Sequence, residues 1–364
     1  MELSAEDALR LNVMLANELH AVRIDESSMT VYGLSPAGET AIRLNPTCRD
    51  EQYIRLVKET LSSHVLGSPG GYPVYLKRWT RMGQARDTSL EKLLLLGEPE
   101  AVVAVVHAPG LTGEIARRAW WAMPTSDNAR RMLAREAVAR SEIAPTLAEF
   151  LIEFLPFEES HQAMIESVRL VLQPGLIDQD TRDKLWAKGR HKNTYYVGFL
   201  HTTPDELPER QPPHPLHKAA AALGEGPQAD FLRKLLDVPG QSFLHTAEIV
   251  LKKPNNQDVV VELMEAIRNW SAPLAADGPR LQDIDALRAQ ASGRVGQEPA
   301  LAAMASAVPE LVPVIEAACL VSGVGERLVA PVFARTDAIG SVMRRKLAHI
   351  TEPIVEAFGV LRGR

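Results

Sequence analysis

Cysteine and aromatic residues are scarce in this sequence. Its 364 residues include only two cysteines, Cys48 and Cys319, and aromatic residues make up 5% of the chain. Two cysteines are too few for a disulfide scaffold or for a zinc site built on thiolates. The low aromatic content, together with many Ala and Leu residues, favours a mostly helical protein.

Long apolar segments are also lacking. The longest lie at residues 101–106, which is too short to span a bilayer, and at 311–324, which is also short and contains Pro313 and Glu316. The first residues, Met-Glu-Leu-Ser-Ala-Glu-Asp, have neither the basic start nor the apolar centre of a secretory signal. We therefore expect a cytoplasmic protein that does not bind membranes.

The sequence has neither an excess of positive charge nor a recognisable catalytic motif. Its net charge of −6 argues against general binding to nucleic acid. It contains no P-loop, dinucleotide fingerprint or Gly-x-Ser-x-Gly elbow. Glu158 and His161 form one Glu-x-x-His pair, whereas a di-iron bundle needs two such pairs and further glutamates. We predict a non-enzymatic protein without metal or cofactor; a site assembled from distant residues is the alternative.

Residues 1–86 alternate between helical and strand periodicity. Ser4 is typical of a helix N-cap, and apolar residues then follow at helical spacing. Three short alternating segments follow, at 22–25, 29–34 and 41–44, with a turn signal at 35–38. A second helix is predicted from about residue 48 to 66, and a fourth strand at 74–76. The expected fold is a small α+β domain in the order α-β-β-β-α-β with an antiparallel sheet.

From residue 87 onward, helical patterns follow one another. Segments of about ten to fifteen residues, among them 99–107 and 127–140, are separated by Gly and Pro breakers over 87–202, which is typical of an irregular helical-repeat (HEAT-like) array. Residues 203–227 hold five prolines and a Gly-Glu-Gly-Pro run, so we expect a linker there. Residues 228–364 are predicted to form a C-terminal helical segment.

Cys48 is the strongest candidate for a chemically reactive side chain in this sequence. The pattern predicts it at the first position of the second helix, beside Arg49. A helix N-terminus and a neighbouring cation both lower a thiol pKa, so Cys48 is a candidate reactive thiol for persulfide transfer. The alternative is a small residue of the first helical turn. Cys319, within an apolar segment, is expected to fill the core.

Two basic stretches contain tryptophan. Trp79 stands among Lys77, Arg78, Arg81 and Arg86. Six arginines and only three acids occur between residues 114 and 140. Arg117 and Trp121 are four residues apart and so share a helix face, with Arg118 next to them; such a face could hold RNA by phosphate contacts and base stacking. The alternative is a solvated helix face with tryptophans packed between helices.

Several longer strings resemble the sulfur reduction protein DsrS family. They are Arg-Leu-Asn-Val-Met-Leu-Ala-Asn at 10–17, Gly-Ser-Pro-Gly-Gly-Tyr-Pro-Val-Tyr-Leu-Lys-Arg-Trp-Thr-Arg-Met-Gly-Gln at 67–84, Leu-Leu-Gly-Glu-Pro-Glu-Ala-Val-Val-Ala-Val-Val-His-Ala-Pro-Gly at 95–110, Arg-Arg-Ala-Trp-Trp-Ala-Met-Pro at 117–124 and Lys-Asn-Thr-Tyr-Tyr-Val-Gly-Phe-Leu at 192–200. The resemblance is strongest over residues 1–200. That family is encoded with the reverse dissimilatory sulfite reductase system of sulfur-oxidising bacteria.

The resemblance implies an accessory or regulatory protein of dissimilatory sulfur oxidation, with partners among the proteins of that machinery. It supplies no catalytic residues. We expect a non-enzymatic role through protein binding on a helical surface, since repeat arrays offer extended contact area. The alternatives are persulfide transfer at Cys48 and RNA binding through the Arg and Trp faces.

Overall fold

Helices dominate the backbone, and the strands of the described residues are confined to the N-terminal region. A computed structural model describes residues 2–67, 87–278 and 281–364. The strands are β1 (Ala21–Asp25), β2 (Thr30–Ser35) and β3 (Gly38–Arg43). The helices are α1 (Ala5–Leu15), α2 (Asp50–Leu66), α3 (Asp87–Leu93), α4 (Pro99–His107), α5 (Gly113–Ala122), α6 (Ser126–Leu133), α7 (Glu136–Ala139), α8 (Ala144–Phe154), α9 (His161–Val171), α10 (Gln179–Lys188), α11 (Asn193–Thr202), α12 (Pro227–Leu236), α13 (Val238–Lys252), α14 (Gln257–Trp270), α15 (Ile284–Gln297), α16 (Pro299–Ala307), α17 (Val312–Ser322), α18 (Glu326–Phe333) and α19 (Gly340–Leu361). The expected mostly α fold with an N-terminal α+β part is confirmed.

The sheet is antiparallel, with the strand order β1-β2-β3. Val22 is opposite Gly33, and Ser35 is opposite Gly38 at the end of a two-residue hairpin loop. Gly38 has φ +120°, a value that favours glycine and suits this tight turn. The turn predicted at 35–38 is therefore confirmed. The fourth strand predicted at 74–76 lies outside the described residues.

The first core lies between the sheet and the helices α1 and α2. Its buried side chains come from both helices and from the strands and their connections: Leu11, Met14, Leu15, Val22, Val31, Leu44, Tyr53, Ile54, Val57 and Leu61. The apolar residues of each helix recur at three- and four-residue spacing, so one face of each helix is buried. Ser4 caps α1 by accepting the Asp7 amide, as predicted.

The chain divides into two compact units, Met1–Phe154 and Leu155–Arg364. The expected first boundary after residue 86 differs from this division, because helices that follow residue 86 pack against the N-terminal sheet. The amide of Val22 in β1 donates to the carbonyl of Leu94 at 2.8 Å. Residues 87–154 therefore share a unit with the strands, through contacts that helix periodicity alone does not predict.

The second unit is an irregular helical array. Its helices pack mainly on elements two or more places away in the chain: α9 on α11, α11 on α14, α15 on α17 and α17 on α19. The last helix also packs against α13, so the array returns on itself. Among the described residues no single helix is long and apolar enough to cross a membrane; one bent pair, Pro299–Ala307 with Pro309–Ser322, meets the length and composition criteria with a 118° turn.

The segment 203–227, expected to be a linker, is an ordered part of the second unit. The His214 amide donates to the Leu236 carbonyl at 2.8 Å, and the Gln211 amide donates to Ser242 Oγ at 2.9 Å. Proline fixes φ and removes an amide donor. A proline-rich segment can therefore be a free linker or a connection that packs against helices, and composition does not distinguish the two. The long-range hydrogen bonds of His214 and Gln211 identify this segment as the second kind.

Helix boundaries differ from the expected ones at two informative places. The helix expected over 127–140 is interrupted, because Arg135 adopts an extended backbone and donates to the His107 carbonyl at 3.0 Å. The helix α2 begins at Asp50 with Arg49 as its N-cap. Cys48 therefore precedes the helix instead of occupying its first position.

Candidate protein-binding cleft

Cys48 lies outside the helix that would activate it. Its side chain is half-buried and packs against the apolar core of the first unit. The sulfur contacts the Arg49 carbonyl at 3.7 Å, a group that carries a partial negative charge. The expected position at N1 is wrong, because the chain turns into α2 two residues later. The persulfide hypothesis loses the helix N-terminus that motivated it.

Arg117 and Arg118 both contact one carboxylate on their own helix. Arg117 donates twice to Glu114, with N–O distances of 3.0 and 2.8 Å. Arg118 donates to Glu114 at 2.9 Å and reaches Glu91 at 3.4 Å. The hydrogen bond from Arg117 is the main cause that lowers the pKa of Glu114 to about 2. The carboxylates therefore neutralise much of the positive charge that the sequence places here.

Trp121 is held by the sheet of the same unit. Its indole Nε1–H donates to Glu39 Oε2 at 2.8 Å. The guanidinium of Arg23 lies 5.0 Å from the Trp121 ring centre and 4.6 Å from that of Tyr32. Trp121 thus completes a structural cluster on the sheet instead of offering a free face for a base. Trp79 lies outside the described residues.

Other arginines of this stretch also have local partners. Arg130 pairs with Asp127, and Arg140 pairs with Glu136 at 2.6 Å. The acids counted as few in the sequence lie next to the arginines on the helix surface, at three- and four-residue spacing. How basic this surface is therefore depends on which arginines have an acidic neighbour, and not only on the net charge of the segment.

No group of three or more metal-ligating side chains is found within the described ranges. Glu158 accepts a hydrogen bond from the Ser160 amide at 3.1 Å, in the loop that leads into α9. Cys319 is 1% exposed, and burial raises the pKa of its thiol to about 11. This places Cys319 in the core, as expected from the sequence.

A cleft of about 410 Å³ opens between α13 and α19 in the second unit. Leu251 and Leu347 form part of its apolar floor and are almost fully buried. The volume is within the usual range of ligand-binding clefts. The lining residues are Leu251, Lys252, Pro254, Arg344, Leu347, Ala348, Thr351, Glu352, Val355 and Glu356.

Two of the four charged residues of the cleft have ion-pair partners. Lys252 donates to Glu248 at 2.6 Å, and Glu356 accepts from Arg288 at 2.7 Å. Arg344 donates to a neutral group, the Pro254 carbonyl, at 3.3 Å. Within the described part of the chain, neither Arg344 nor Glu352 has a carboxylate or cation partner. Arg344 is half-buried and Glu352 is exposed, so one positive and one negative charge are accessible to an occupant.

These two charges are separated along a single helix. Arg344 and Glu352 are eight residues apart on α19, which corresponds to about 12 Å at the rise of an α-helix. Leu347, Ala348 and Thr351 lie between them on the wall of the cleft. The cleft thus presents a basic end, an apolar middle and an acidic end.

The sequence alone does not reveal this cleft. The signal was present, because the lining residues of α19 recur at three- and four-residue spacing beside its buried stripe. These residues lie next to the buried apolar stripe of α19. Helical periodicity shows which residues share a face, but it does not show whether a neighbouring helix covers that face. Only the packing of α13 against α19 shows it.

A second hollow lies in the first unit, between α1 and α2, with a volume of about 680 Å³. Of the acids on its rim, Glu59 is already paired with Arg55 at 3.1 Å. This hollow is wide and carries no pattern of charge that specifies an occupant, so the α13/α19 cleft is the stronger candidate.

Comparison with known proteins adds no relative from which a role could be transferred. The chain matches no protein-family model, no curated protein and no solved structure.

Proposed function

We propose that this protein is a non-enzymatic, cytoplasmic accessory of dissimilatory sulfur oxidation and that it acts by binding another protein on its helical surface. The sequence strings that resemble the DsrS family support the pathway. The α13/α19 cleft supports the mode of action, and the observation that carries it is the pair of uncompensated charges, Arg344 and Glu352, at the two ends of an apolar floor.

The proposed occupant is an amphipathic helix of a protein of the sulfur-oxidation machinery. A helix that lies along α19 places apolar side chains on Leu347 and Val355. Charge complementarity requires an acidic residue opposite Arg344 and a basic residue opposite Glu352, about two helical turns away. Such a partner fills an apolar cleft and pairs both charges at once.

The test is recovery of partner proteins from native soluble extract by the tagged protein, with and without nuclease, followed by mass spectrometry. Arg344→Glu and Glu352→Lys each place a like charge against the expected partner residue. We expect each substitution to lower the recovery of sulfur-oxidation proteins about tenfold or more, since tenfold corresponds to about 1.4 kcal/mol and a like-charge contact costs several kcal/mol. Arg345→Glu, on the exposed surface beside the cleft, is the matched control and should leave recovery unchanged.

A second measurement separates charge complementarity from loss of structure. Once a partner helix is identified, its acidic residue is exchanged for a basic one and combined with Arg344→Glu. Restored binding in this pair supports the proposed orientation. Equal recovery of the same partners by the unmodified protein and by both cleft variants contradicts the proposal. Recovery that disappears with nuclease favours the RNA alternative instead.

A further inference from the structure

The C-terminal end of α19 is held by two histidines from other parts of the second unit. His214 lies in the segment before α12 and is 4% exposed. His245 lies on α13, and its side chain is 23% exposed. Both contact residues 360–364, the last turn of the chain and the tail after it. Nothing in the proposed function accounts for this arrangement.

The hydrogen bonds of His245 fix its protonation state. Arg362 Nη2 is 2.9 Å from His245 Nδ1. A guanidinium can only donate, so Nδ1 must be the unprotonated acceptor and the ring proton must be on Nε2. His245 Nε2 is 3.4 Å from Glu209 Oε1, which accepts it. The ring is therefore neutral in this arrangement.

His214 is fixed in the same way. The Leu216 amide donates to His214 Nδ1 at 3.0 Å, and a backbone amide also can only donate. The proton of His214 is therefore on Nε2, where it bonds to the Val360 carbonyl. The Nε2 atom also lies close to Gly363, so this ring packs directly against the last turn of α19.

Other charges surround the same end of the helix. Glu248 on α13 is 8% exposed as a side chain and accepts hydrogen bonds from Arg362 and Lys252. Arg364 lies 3.7 Å from Glu248. Gln241 adds a neutral bond from its Nε2 to the Leu361 carbonyl at 2.9 Å. The charged groups that face His245 are thus Arg362, Glu209 and Glu248, and His217 is the titratable neighbour of His214.

We propose that His214 and His245 form a pH-sensitive latch that holds the C-terminal end of α19 when both rings are neutral and releases it when they are protonated. A proton on Nδ1 of His245 removes the acceptor of Arg362 and places two cations together. A proton on Nδ1 of His214 removes the acceptor of the Leu216 amide. Protonation of His245 therefore makes its contact with Arg362 repulsive, and protonation of His214 removes the hydrogen bond that orients its ring against Val360 and Gly363.

The direction of the pH dependence follows from the environment of the rings. Burial first, and then the charge of Arg362, lower the pKa of His245, although Glu209 and Glu248 act in the opposite direction. Burial also lowers the pKa of His214. The released form, with histidines near the ordinary value of 6.5, therefore binds more protons than the latched form. The latch is at full strength above that value and weakens as the pH falls below it.

Glu248 does not contribute to this transition. Although burial opposes it, the hydrogen bonds from Lys252 and Arg362 lower the pKa of Glu248 below its ordinary value of 4.5. The carboxylate therefore stays ionised while the histidines titrate. Lys252 also lines the α13/α19 cleft, so the latch borders that cleft through the Glu248–Lys252 pair. The latch itself does not depend on the proposed function.

The test is hydrogen exchange of the intact protein between pH 7.5 and 5.5, corrected for the intrinsic pH dependence of exchange. Peptides that cover residues 354–364 report the latch, and peptides from α11 report the rest of the unit. We expect the protection of residues 354–364 to fall with pH, at most about tenfold for each unit by which the pKa of one histidine is lower in the latched form than in the released form. Protection of α11 should not change. Protection of 354–364 that stays constant over this range overturns the proposal.

Two variants sharpen the result. The double variant His214→Asn/His245→Asn keeps a neutral polar group near each Nδ1 position but takes up no proton, so its exchange at 354–364 should not depend on pH. His349→Asn, at an exposed position of the same helix, is the matched control and should behave as the unmodified protein. An unchanged pH dependence in the double variant would show that other groups are responsible and would overturn the latch.

Nuclear magnetic resonance with ¹⁵N-labelled histidine gives an answer even if the double variant does not fold. The unmodified protein should show two histidines with the proton on Nε2 at neutral pH, both titrating below the ordinary histidine range. Assignment comes from the single variants His214→Asn and His245→Asn. Titration of both rings at or above pH 6.5, or a proton on Nδ1, would contradict the assigned hydrogen bonds.

Discussion

Tyr53 and Asp7 join α2 to α1 through a hydrogen bond of 2.5 Å from the phenol to Asp7 Oδ2, and both residues are fully buried. The same carboxylate oxygen accepts the Asn45 amide at 2.8 Å. Asp7 Oδ1 is buried without a hydrogen-bond partner among the described residues. Burial, followed by the bond to Asp7, raises the pKa of Tyr53. This buried carboxylate depends on few donors, so each one matters.

We therefore expect Tyr53→Phe to lower the free energy of unfolding of the first unit by about 1–3 kcal/mol, because it removes one of the two donors to the buried Asp7 Oδ2 while keeping the ring. Urea unfolding read by hydrogen exchange in α1 and α2 measures this unit separately. Tyr32→Phe is the control, since the Tyr32 ring contacts Arg23 through its face. Equal effects of the two substitutions would contradict the role of the Tyr53–Asp7 bond.

The two thiols should react very differently with an alkylating reagent. Cys48 is half-buried, whereas Cys319 is in the core with its pKa raised by burial to about 11. At pH 8 only about one Cys319 thiol in a thousand is ionised, and it is also shielded from the reagent. Mass spectrometry should find one label per native chain, on Cys48, and two labels after denaturation.

The rate at Cys48 also tests the persulfide alternative. Because Cys48 precedes α2 and contacts a carbonyl oxygen, we expect it to react no faster than a free model thiol at the same pH. A rate at least tenfold above that of the model thiol would restore the sulfur-transfer hypothesis. Uptake of a persulfide from a low-molecular-weight donor would do the same.

The arginines of α5 should contribute little to RNA binding. Glu114 and Glu91 already pair with Arg117 and Arg118. We expect fluorescence anisotropy with single-stranded RNA at about 150 mM salt to give the same weak signal for the unmodified protein and for Arg117→Ala/Arg118→Ala. A large loss of affinity in the double variant would support the RNA alternative. Trp79→Ala tests the neighbouring basic stretch in the same assay.

Two glycine substitutions should change stability in opposite directions. A Cβ atom at Gly198 in α11 would lie 2.5 Å from Val168 Cγ1 on α9. Gly198→Ala should therefore lower the free energy of unfolding of the second unit by about 1–3 kcal/mol, as overpacking does. At Gly293 in α15 the nearest atom is a Gln297 side-chain nitrogen at 3.5 Å. Gly293→Ala should raise stability by about 0.5–1 kcal/mol, since alanine favours helix.

Thermal and urea unfolding of both variants decide this prediction. An unchanged midpoint in Gly198→Ala would show that the packing of α9 on α11 is less tight than described, and a loss of stability in Gly293→Ala would show that its added methyl group does not fit beside Gln297. Hydrogen exchange in α9 and α11 should locate the effect of Gly198→Ala, while exchange in α15 should be unaffected by it.

Local features of the fold were predictable from the sequence. The N-cap at Ser4 and the hairpin at Ser35–Gly38 depend on residues within four positions of one another. The helix predicted over 99–107 was found with the same bounds, Pro99–His107. These elements are set by capping, turn chemistry and periodicity, which are short-range properties.

The candidate sites were not predictable in the same way. Glu91 neutralises part of the positive charge of Arg118, and Glu39 holds the indole of Trp121 in place. Arg344 and Glu352 became candidates only because no counter-charge packs beside them among the described residues. Charge pairing across elements requires the coordinates of both partners, and one sequence does not supply them.

The sequence by itself determined that this protein is mostly helical with a small antiparallel sheet, and that its two cysteines and scattered histidines form no familiar motif. The tertiary structure decided which side chains meet. It placed Cys48 before its helix, attached the segment 203–227 to the second unit, and brought His214 and His245 to the C-terminal end of α19. The reason is that secondary structure follows from short-range backbone preferences, whereas burial and charge pairing follow from contacts between residues far apart in the chain.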